Sequence, residues 1–377
     1  MVRNMHVLLF FIDSFPAEHI DKMPFLSQFM HWRIQCGLGY SLNVKAELFS
    51  GLRPDELGYF NEWTFDPAGS PFRKHRPWLK MLKPLTPSYH MSWVVRKCVE
   101  RTLFPSTSLD IPFEYLGYFS RRGMPPYHNG FGRPSIFGEN PNLAMVCYTD
   151  WPPSTDRDEH VFNQAMETIP TIKKHLFVAW ADLDGLTHRY GVGSDVQFQR
   201  LLQLDNMIDR CVNAFLGHFP SGHFILISDH SMANVDHAVV GRLEHVFGPV
   251  SPETYVYFLD SNILRVWVFD DVLRSEVEAY LTNSKDGKAL SPLERELYAV
   301  TNPLFGDFIY ILAEGKIFRD SFWGRKLPAA MHGYHPETNS QKGFVLSDSK
   351  LFASDMMPRA TDVYKHLKGL LCSDSKA

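Results

Sequence analysis

The sequence has few cysteines, and they follow no pattern. Among its 377 residues there are five, and no two form a Cys-x-x-Cys pair. A disulfide framework or a thiolate zinc site needs closer, paired spacing. We therefore expect a reducing compartment and a cytoplasmic location. The five are Cys36, Cys98, Cys147, Cys211 and Cys372.

Long runs of one kind of residue are also missing. Lys and Arg number 38 against 42 Asp and Glu, and no long basic run occurs. Binding to a nucleic acid duplex, which needs a broad positive surface, is therefore not expected. No stretch reaches the roughly 18 to 20 apolar residues of a membrane span. The apolar run Val7–Ile12 ends at Asp13 without a small-residue cleavage site, which predicts a first buried strand and not a signal peptide.

Apolar runs alternate with amphipathic segments through much of the chain, as is typical of an α/β fold. Helical spacing also predicts a helix over Met23–Trp32. Two long stretches, 61–141 and 237–330, interrupt the rhythm. Such excursions are usually functional lids, so we expect one domain, 1–377, with two inserted cap segments. The predicted strands are 7–12, 143–148, 176–180, a run from Gly222, and 343–346; the clearest helix is Val196–Phe215.

Polar residues follow several of the predicted strands. Asp184 and His188 come after strand 176–180 and lie four residues apart, so one helical turn would place both on one face. A carboxylate and an imidazole suit a divalent ion such as zinc. The simpler alternative is a helix start with Asp184 as its cap and His188 at the surface.

Asp13 and the pair Asp229-His230 end two further strands. A buried carboxylate at such a position is unfavourable unless it is paired or bound to a metal. A turn at the strand end would let Asp229 and His230 face one ion. For Asp13 alone, a turn or cap role is the simpler interpretation.

Ser41 precedes a short predicted helix, Val44–Ser50. A helix N-terminus favours anions and would lower the free energy of a serine alkoxide. Serine is also a common N-cap, which is the simpler alternative. Asn61 follows closely in the chain and offers a hydrogen-bond donor.

The ordered set of these motifs resembles the alkaline phosphatase superfamily. The branch it resembles most is that of type I phosphodiesterases and nucleotide pyrophosphatases. The resemblance implies an α/β three-layer sandwich with a mostly parallel central sheet, helices on both faces and inserted lids. The motifs are Ile12-Asp-Ser, Tyr40-Ser, Ser50-Gly-Leu-Arg-Pro-Asp-Glu-Leu-Gly58, Asp184-Gly-Leu-Thr-His188, Ser228-Asp-His-Ser-Met232 and Met331-His-Gly-Tyr334.

This resemblance also implies a site with two divalent metal ions, usually zinc. Asp184, His188 and His332 would hold one ion. The other ion would be held by Asp13, Asp229 and His230, with the Ser41 oxygen as a further ligand. Attack by Ser41 on a small-molecule phosphate ester would give a covalent phospho-enzyme, which water then hydrolyses. Asn61 would help to hold a phosphoryl oxygen.

The chain departs from the family pattern at several points. The diesterases usually carry threonine followed by proline and asparagine, whereas this run is Ser41-Leu-Asn-Val. Ser50 is an alternative nucleophile, and Asn43 is an alternative to Asn61. Either His335 or His237 could replace His332, which is favoured because its His-Gly pair matches the family.

Other activities remain open on the same residues. A phosphomonoesterase or a phosphoryl or nucleotidyl transferase would use the same metal ligands. Sulfatases share the fold but need a modified Cys or Ser followed by Pro and Arg, and Lys45 stands where that arginine is needed. A catalytically inactive binder of phosphorylated ligands is the alternative from another functional class.

Overall fold

The computed structural model describes residues 5–82, 111–121, 135–138, 140–150, 156–323 and 326–371. The chain divides into two compact units. The first comprises Met1–Leu57, Met124–Asp236 and Pro328–Ala377, and the second comprises Gly58–Gly123 and His237–Leu327. Residues 83–110 and 122–134 of the first predicted insertion lie outside the described residues. The roles of both insertions as caps stay predictions.

The strands and helices alternate along the first unit, and strands predominate in the second. The strands are β1 (Val7–Ile12), β2 (Met30–Ile34), β3 (Trp63–Phe65), β4 (Phe119–Arg121), β5 (Leu143–Cys147), β6 (His175–Trp180), β7 (His223–Ser228), β8 (Ala233–Asn234), β9 (His237–Val239), β10 (Tyr255–Leu259), β11 (Ile263–Val268), β12 (Gly287–Ala289), β13 (Phe308–Leu312), β14 (Lys316–Phe318), β15 (Ala330–Met331) and β16 (Gly343–Ser347). The helices are α1 (Ser41–Ser50), α2 (Pro54–Leu57), α3 (Arg76–Leu82), α4 (Phe113–Leu116), α5 (Arg157–Thr168), α6 (Asp182–Tyr190), α7 (Asp195–His218), α8 (Glu244–Phe247), α9 (Asp271–Asn283), α10 (Pro292–Leu297) and α11 (Ala360–Leu371).

A six-stranded sheet with the order β2-β16-β7-β1-β6-β5 forms the centre of the first unit. Strands β5, β6, β1 and β7 are parallel; β16 pairs antiparallel with β7, and β2 pairs antiparallel with β16 and so runs in the direction of the other four. Both faces of β1 are buried, as expected for a central parallel strand covered on two sides. The predicted mostly parallel sheet is therefore confirmed.

Alternate side chains of β1 enter two separate cores because successive residues of a strand point to opposite faces. Leu8, Phe10 and Ile12 pack with α5 and α7 on one face. Val7, Leu9 and Phe11 pack with α1 and α11 on the other. These two cores create the three layers that the resemblance implied.

The carboxyl ends of β6, β1 and β7 meet at one edge of this sheet. The backbone N–H of Asp13, directly after β1, donates to the carbonyl of Trp180, the last residue of β6 (3.0 Å). Residues that directly follow these strands therefore lie close together at this edge, as in other open α/β sheets. This edge carries the predicted site.

The predicted helix over Met23–Trp32 is wrong. Leu26–Gln28 form a single 3-10 turn, and Met30–Ile34 form β2, which pairs antiparallel with β16. Trp32 and Ile34 are buried whereas Arg33 between them is only half-buried, so the period of two prevails over the helical spacing. The Asp205 carboxylate fixes the turn by accepting the N–H groups of Phe25 and Leu26 (both 2.9 Å).

The second unit contains a four-stranded antiparallel sheet with the order β10-β11-β13-β12. Its core is rich in aromatic side chains, among them Trp63, Phe119, Tyr257 and Phe258. Across the described residues of both units, no helix has the combination of length and apolar character that crossing a bilayer requires.

Candidate active site

Two clusters of acidic and histidine side chains lie in the first unit. One consists of Asp184, His188 and His332, and the other of Asp13, Asp229 and His230. Within each cluster the potential ligand atoms all lie within 4.8 Å of one another. The clusters adjoin, because the rings of His230 and His332 stack with centroids 3.9 Å apart.

The first cluster begins on α6, which starts directly after β6. One helical turn brings His188 Nε2 to 3.6 Å from Asp184 Oδ1, and His332 Nε2 lies 3.7 Å from the same oxygen. The Nδ1–H of His188 donates to the Ala330 carbonyl (2.8 Å). This hydrogen bond leaves the Nε2 lone pair directed at the cluster, the arrangement typical of metal-binding histidines.

Gln341 fixes the loop that carries His332. Its Oε1 accepts the backbone N–H groups of Gly333 (2.7 Å) and Tyr334 (3.1 Å). Its Nε2 donates to the Gly39 carbonyl (3.0 Å), just before α1. One buried side chain thus connects two segments of the site. Sequence reasoning missed Gln341, because no motif surrounds it.

The second cluster forms where β1 and β7 end. Asp229 Oδ1 accepts the backbone N–H of Ser14 (3.2 Å). The Nδ1–H of His230 donates to the Ser231 carbonyl (2.9 Å), so the Nε2 lone pair again faces the cluster. That nitrogen lies 3.5 Å from both Asp13 Oδ1 and Asp229 Oδ2.

The hydroxyl of Ser41 points into the second cluster. Ser41 is the first residue of α1, and its Oγ lies 2.7 Å from His230 Nε2 and 3.3 Å from Asp13 Oδ1. The N-cap residue is Tyr40, without a side-chain capping bond, so Ser41 does not act as the cap. Ser50, at the opposite end of α1, donates its hydroxyl to the Ala46 carbonyl (2.6 Å).

Lys45 adds a positive charge that sequence reasoning did not place in the site. It follows Ser41 by one helical turn, is buried, and donates from Nζ to Asp13 Oδ2 (2.5 Å). Burial alone would lower the pKa of Lys45, but the Asp13 carboxylate raises it, so the side chain stays an ammonium. Its spacing of four residues from Ser41 was the available signal.

Burial and mutual repulsion set the charges of the carboxylates. Burial, with the charge of Asp13 next, raises the pKa of Asp184 to about 8 and that of Asp229 to about 6. Burial would also raise the pKa of Asp13, but the Lys45 ammonium, with further contributions from His230 and Ser41, lowers that pKa. Cations near Asp184 and Asp229 would therefore restore their ionised forms.

The donor atoms fit divalent cations. Among the described residues, no hydrogen bond reaches the buried Asp229 Oδ2 or Asp184 Oδ1. Burial and the neighbouring His230 lower the pKa of His332 well below its usual range, which keeps this ring neutral as a ligand must be. Carboxylate oxygens together with imidazole nitrogens are ligands that zinc accepts.

The remaining candidate residues make other contacts. Asn61 belongs to the second unit, and its Nδ2 donates to Asp260 Oδ2 (3.2 Å). His237 is on β9 of that unit, and His335 Nδ1 accepts the backbone N–H of Glu337 (3.4 Å). Asn43 donates to the Leu38 carbonyl (3.1 Å). The structure thus gathers His332, and neither of its alternatives, with the other predicted ligands of the first unit.

Comparisons with known proteins agree with this architecture. The chain is similar to an inactive variant of murine ectonucleotide pyrophosphatase / phosphodiesterase 5 solved with AMP, with 15% identity and a TM-score of 0.66 over 97% of this chain and 95% of that one. It is also similar to phosphonoacetate hydrolase from Sinorhizobium meliloti 1021, solved with phosphonoformate, with 11% identity and a TM-score of 0.67 over 97% and 96% of the two chains. No curated protein matches the sequence significantly.

A family profile gives the decisive comparison. Residues 48–335 match the family described as type I phosphodiesterase / nucleotide pyrophosphatase. This match covers more than half of the chain and includes Asp184, His188, Asp229, His230 and His332. The chain therefore belongs to the type I phosphodiesterase / nucleotide pyrophosphatase family and is a hydrolase of phosphate esters.

Proposed function

We propose that this hydrolase cleaves phosphodiesters with Ser41 as its nucleophile and two zinc ions as its cofactors. The observation that supports the proposal best is the position of the Ser41 hydroxyl, which contacts His230 and Asp13 of one predicted metal site. In this proposal Asp13, Asp229 and His230 hold one ion together with Ser41 Oγ. Asp184, His188 and His332 hold the other.

Bound divalent ions would supply the positive charge that favours the ionised hydroxyl and offsets the charge of the phosphoryl group. The protein positions the nucleophile: Asp13 and His230 orient Ser41 Oγ, and the positive end of the α1 dipole favours negative charge there. Attack by Ser41 Oγ on phosphorus breaks the bond to the leaving alcohol and forms a phosphoserine ester. Water then cleaves this ester and regenerates Ser41.

A nucleotide-like phosphodiester is the substrate class that we propose. The AMP in the structure of the murine relative supports this class. We also propose that Asn61 holds a phosphoryl oxygen, as the family resemblance implies. Its backbone has a left-handed φ of 61°, which is uncommon for residues other than glycine and is frequent at functional sites.

The cytoplasmic location is kept as a proposal. The three described cysteines, Cys36, Cys147 and Cys211, are free and buried. Unbridged thiols suit a reducing compartment. Fractionation of the cells that produce the protein tests the location, and recovery of the protein from the culture medium would contradict it.

The test is hydrolysis of an aryl phosphodiester beside the matching aryl monoester, with zinc and then with a chelator. We expect a chelator-sensitive preference for the diester. Ser41→Ala should reduce turnover by at least about a thousandfold, because no other oxygen replaces the attacking one. Ser50→Ala is the matched control on the same helix and should retain activity.

Other results of the hydrolysis test would identify a different function. A preference for the monoester would identify a phosphomonoesterase, and product formed only with an added alcohol would identify a transferase. Bound metal without any turnover would favour an inactive binder of phosphorylated ligands. Full activity of Ser41→Ala would contradict the proposed nucleophile.

A further inference from the structure

Lys45 is a fixed cation inside the proposed metal site. Its side chain is buried, and Nζ lies 5.1 Å from the ring centroid of Phe11 and 5.8 Å from that of Tyr148. Its ion pair is with Asp13, through Oδ2 at 2.5 Å. An ammonium with aromatic walls and a carboxylate partner has little freedom to turn to another position.

The ion pair with Lys45 makes the two carboxylate oxygens of Asp13 inequivalent. Oδ2 is held by Lys45, whereas Oδ1 faces Ser41 Oγ at 3.3 Å and His230 Nε2 at 3.5 Å. A cation at the Asp13–Asp229–His230 cluster would therefore receive one oxygen of this carboxylate. The Asp184–His188–His332 cluster has no such contact with Lys45 among the ion pairs of the described residues.

We propose that Lys45 makes the two metal sites unequal, so that the Asp13–Asp229–His230 site binds its ion more weakly and exchanges it more readily than the Asp184–His188–His332 site. This inference rests on the proposed function for the presence of two ions. Two physical causes act together: Lys45 repels an incoming cation, and it withholds Asp13 Oδ2 from that cation. Lys45 also offsets the charge of Asp13 when the site holds no metal, and so stabilises that state. Lys45 is thus a positioning residue that sets metal affinity.

Stepwise metal binding tests the proposal without measuring turnover. Metal-free protein is titrated with zinc by competition with a chromophoric chelator, and bound zinc is counted after dialysis. The wild type should show two steps whose dissociation constants differ by at least about tenfold. Asp229→Asn should remove the weaker step, and Asp184→Asn the tighter one.

Substitutions of the lysine then isolate its charge. Lys45→Met should tighten the weaker step by about tenfold or more and bring the two constants together. Lys45→Arg keeps the charge and should keep two unequal steps. Lys365→Met, which removes an exposed lysine from α11 of the same unit, is the matched control and should leave both constants unchanged.

Several outcomes would overturn the inference. Equal constants in the wild type, or constants in Lys45→Met that stay as far apart as before, would do so. If Lys45→Met does not fold, the wild type, Lys45→Arg and the two aspartate variants still show whether the two dissociation constants differ and which site binds zinc more weakly. Two unequal steps without hydrolysis of any phosphate ester would refute the proposed function but support Lys45's role, whereas no binding of zinc would refute both.

Discussion

Asp158 on α5 caps the helix that carries Asp184 and His188. Its Oδ1 accepts the backbone N–H groups of Ala181 and Asp182 (both 3.2 Å), where α6 has no capping side chain of its own. In return, Asp182 Oδ2 accepts the N–H groups of Arg157 (2.7 Å) and Asp158 (3.2 Å) at the start of α5. The two helices therefore cap each other.

The charge of Asp158 makes this arrangement dependent on pH. Burial, with the charge of Asp182 next, raises the pKa of Asp158 from its ordinary 3.8 to about 7. Between these two values the folded protein holds a proton that the unfolded chain has released. The free energy of unfolding must therefore fall as pH rises through this window, by up to about 4 kcal/mol from Asp158.

Two substitutions separate the cap from the charge. Asp158→Asn keeps an acceptor oxygen but cannot ionise, so its stability relative to the wild type should improve by about 2 to 4 kcal/mol from about pH 4.5 to about pH 8. Asp158→Ala removes the acceptor and should cost about 2 to 4 kcal/mol at about pH 4.5, because buried N–H groups lose their partner.

Denaturant unfolding at the two pH values measures both effects. Asp355→Asn, at an exposed position of the same unit, is the control for loss of one carboxylate. A difference between Asp158→Asn and the wild type that does not change with pH would refute the argument from charge. An Asp158→Ala protein as stable as Asp158→Asn would refute the argument from capping.

Two further predictions concern buried polar contacts. Gln341→Ala should weaken zinc binding at the His332 site, because two N–H groups beside His332 lose their acceptor; Gln341→Glu keeps that acceptor and should bind zinc more tightly than Gln341→Ala in the same titration. Arg265→Met should lower the free energy of unfolding by about 3 to 5 kcal/mol, because it leaves the buried Asp260 carboxylate without its cationic partner (3.2 Å). Unchanged unfolding of Arg265→Met in denaturant would contradict this value.

Regular periodicity made much of the fold predictable. Strand β1 has the bounds that the sequence predicts, and β5, β6 and β16 differ from their predicted bounds by one residue at one end. The proximity of Asp184 and His188 on α6 was also predictable, because residues four apart lie one helical turn apart on the same face. The helical spacing in Met23–Trp32 gave a wrong prediction because pairing with β16 makes the end of that segment a strand.

Contacts between distant segments could not be read from the sequence. Gln341 reaches Gly39, and Asp158 reaches the start of α6, but neither residue has a spacing or motif that marks its partner. Spacing alone also could not decide whether His237, His332 or His335 is the third histidine ligand. The prediction of His332 therefore depended on the family resemblance. The direction of the Ser41 hydroxyl, away from a capping role, required the three-dimensional geometry.

Metal content and hydrolysis measured on the same samples show whether the proposed metal ions are needed for turnover. Purified protein is depleted of metal with a chelator and then supplied with zinc in steps, and bound metal and aryl phosphodiester hydrolysis are recorded at each step. The proposed two-metal mechanism predicts that hydrolysis disappears with the metal and returns as the Asp184–His188–His332 and Asp13–Asp229–His230 sites fill. Hydrolysis that persists in fully metal-free protein would contradict it.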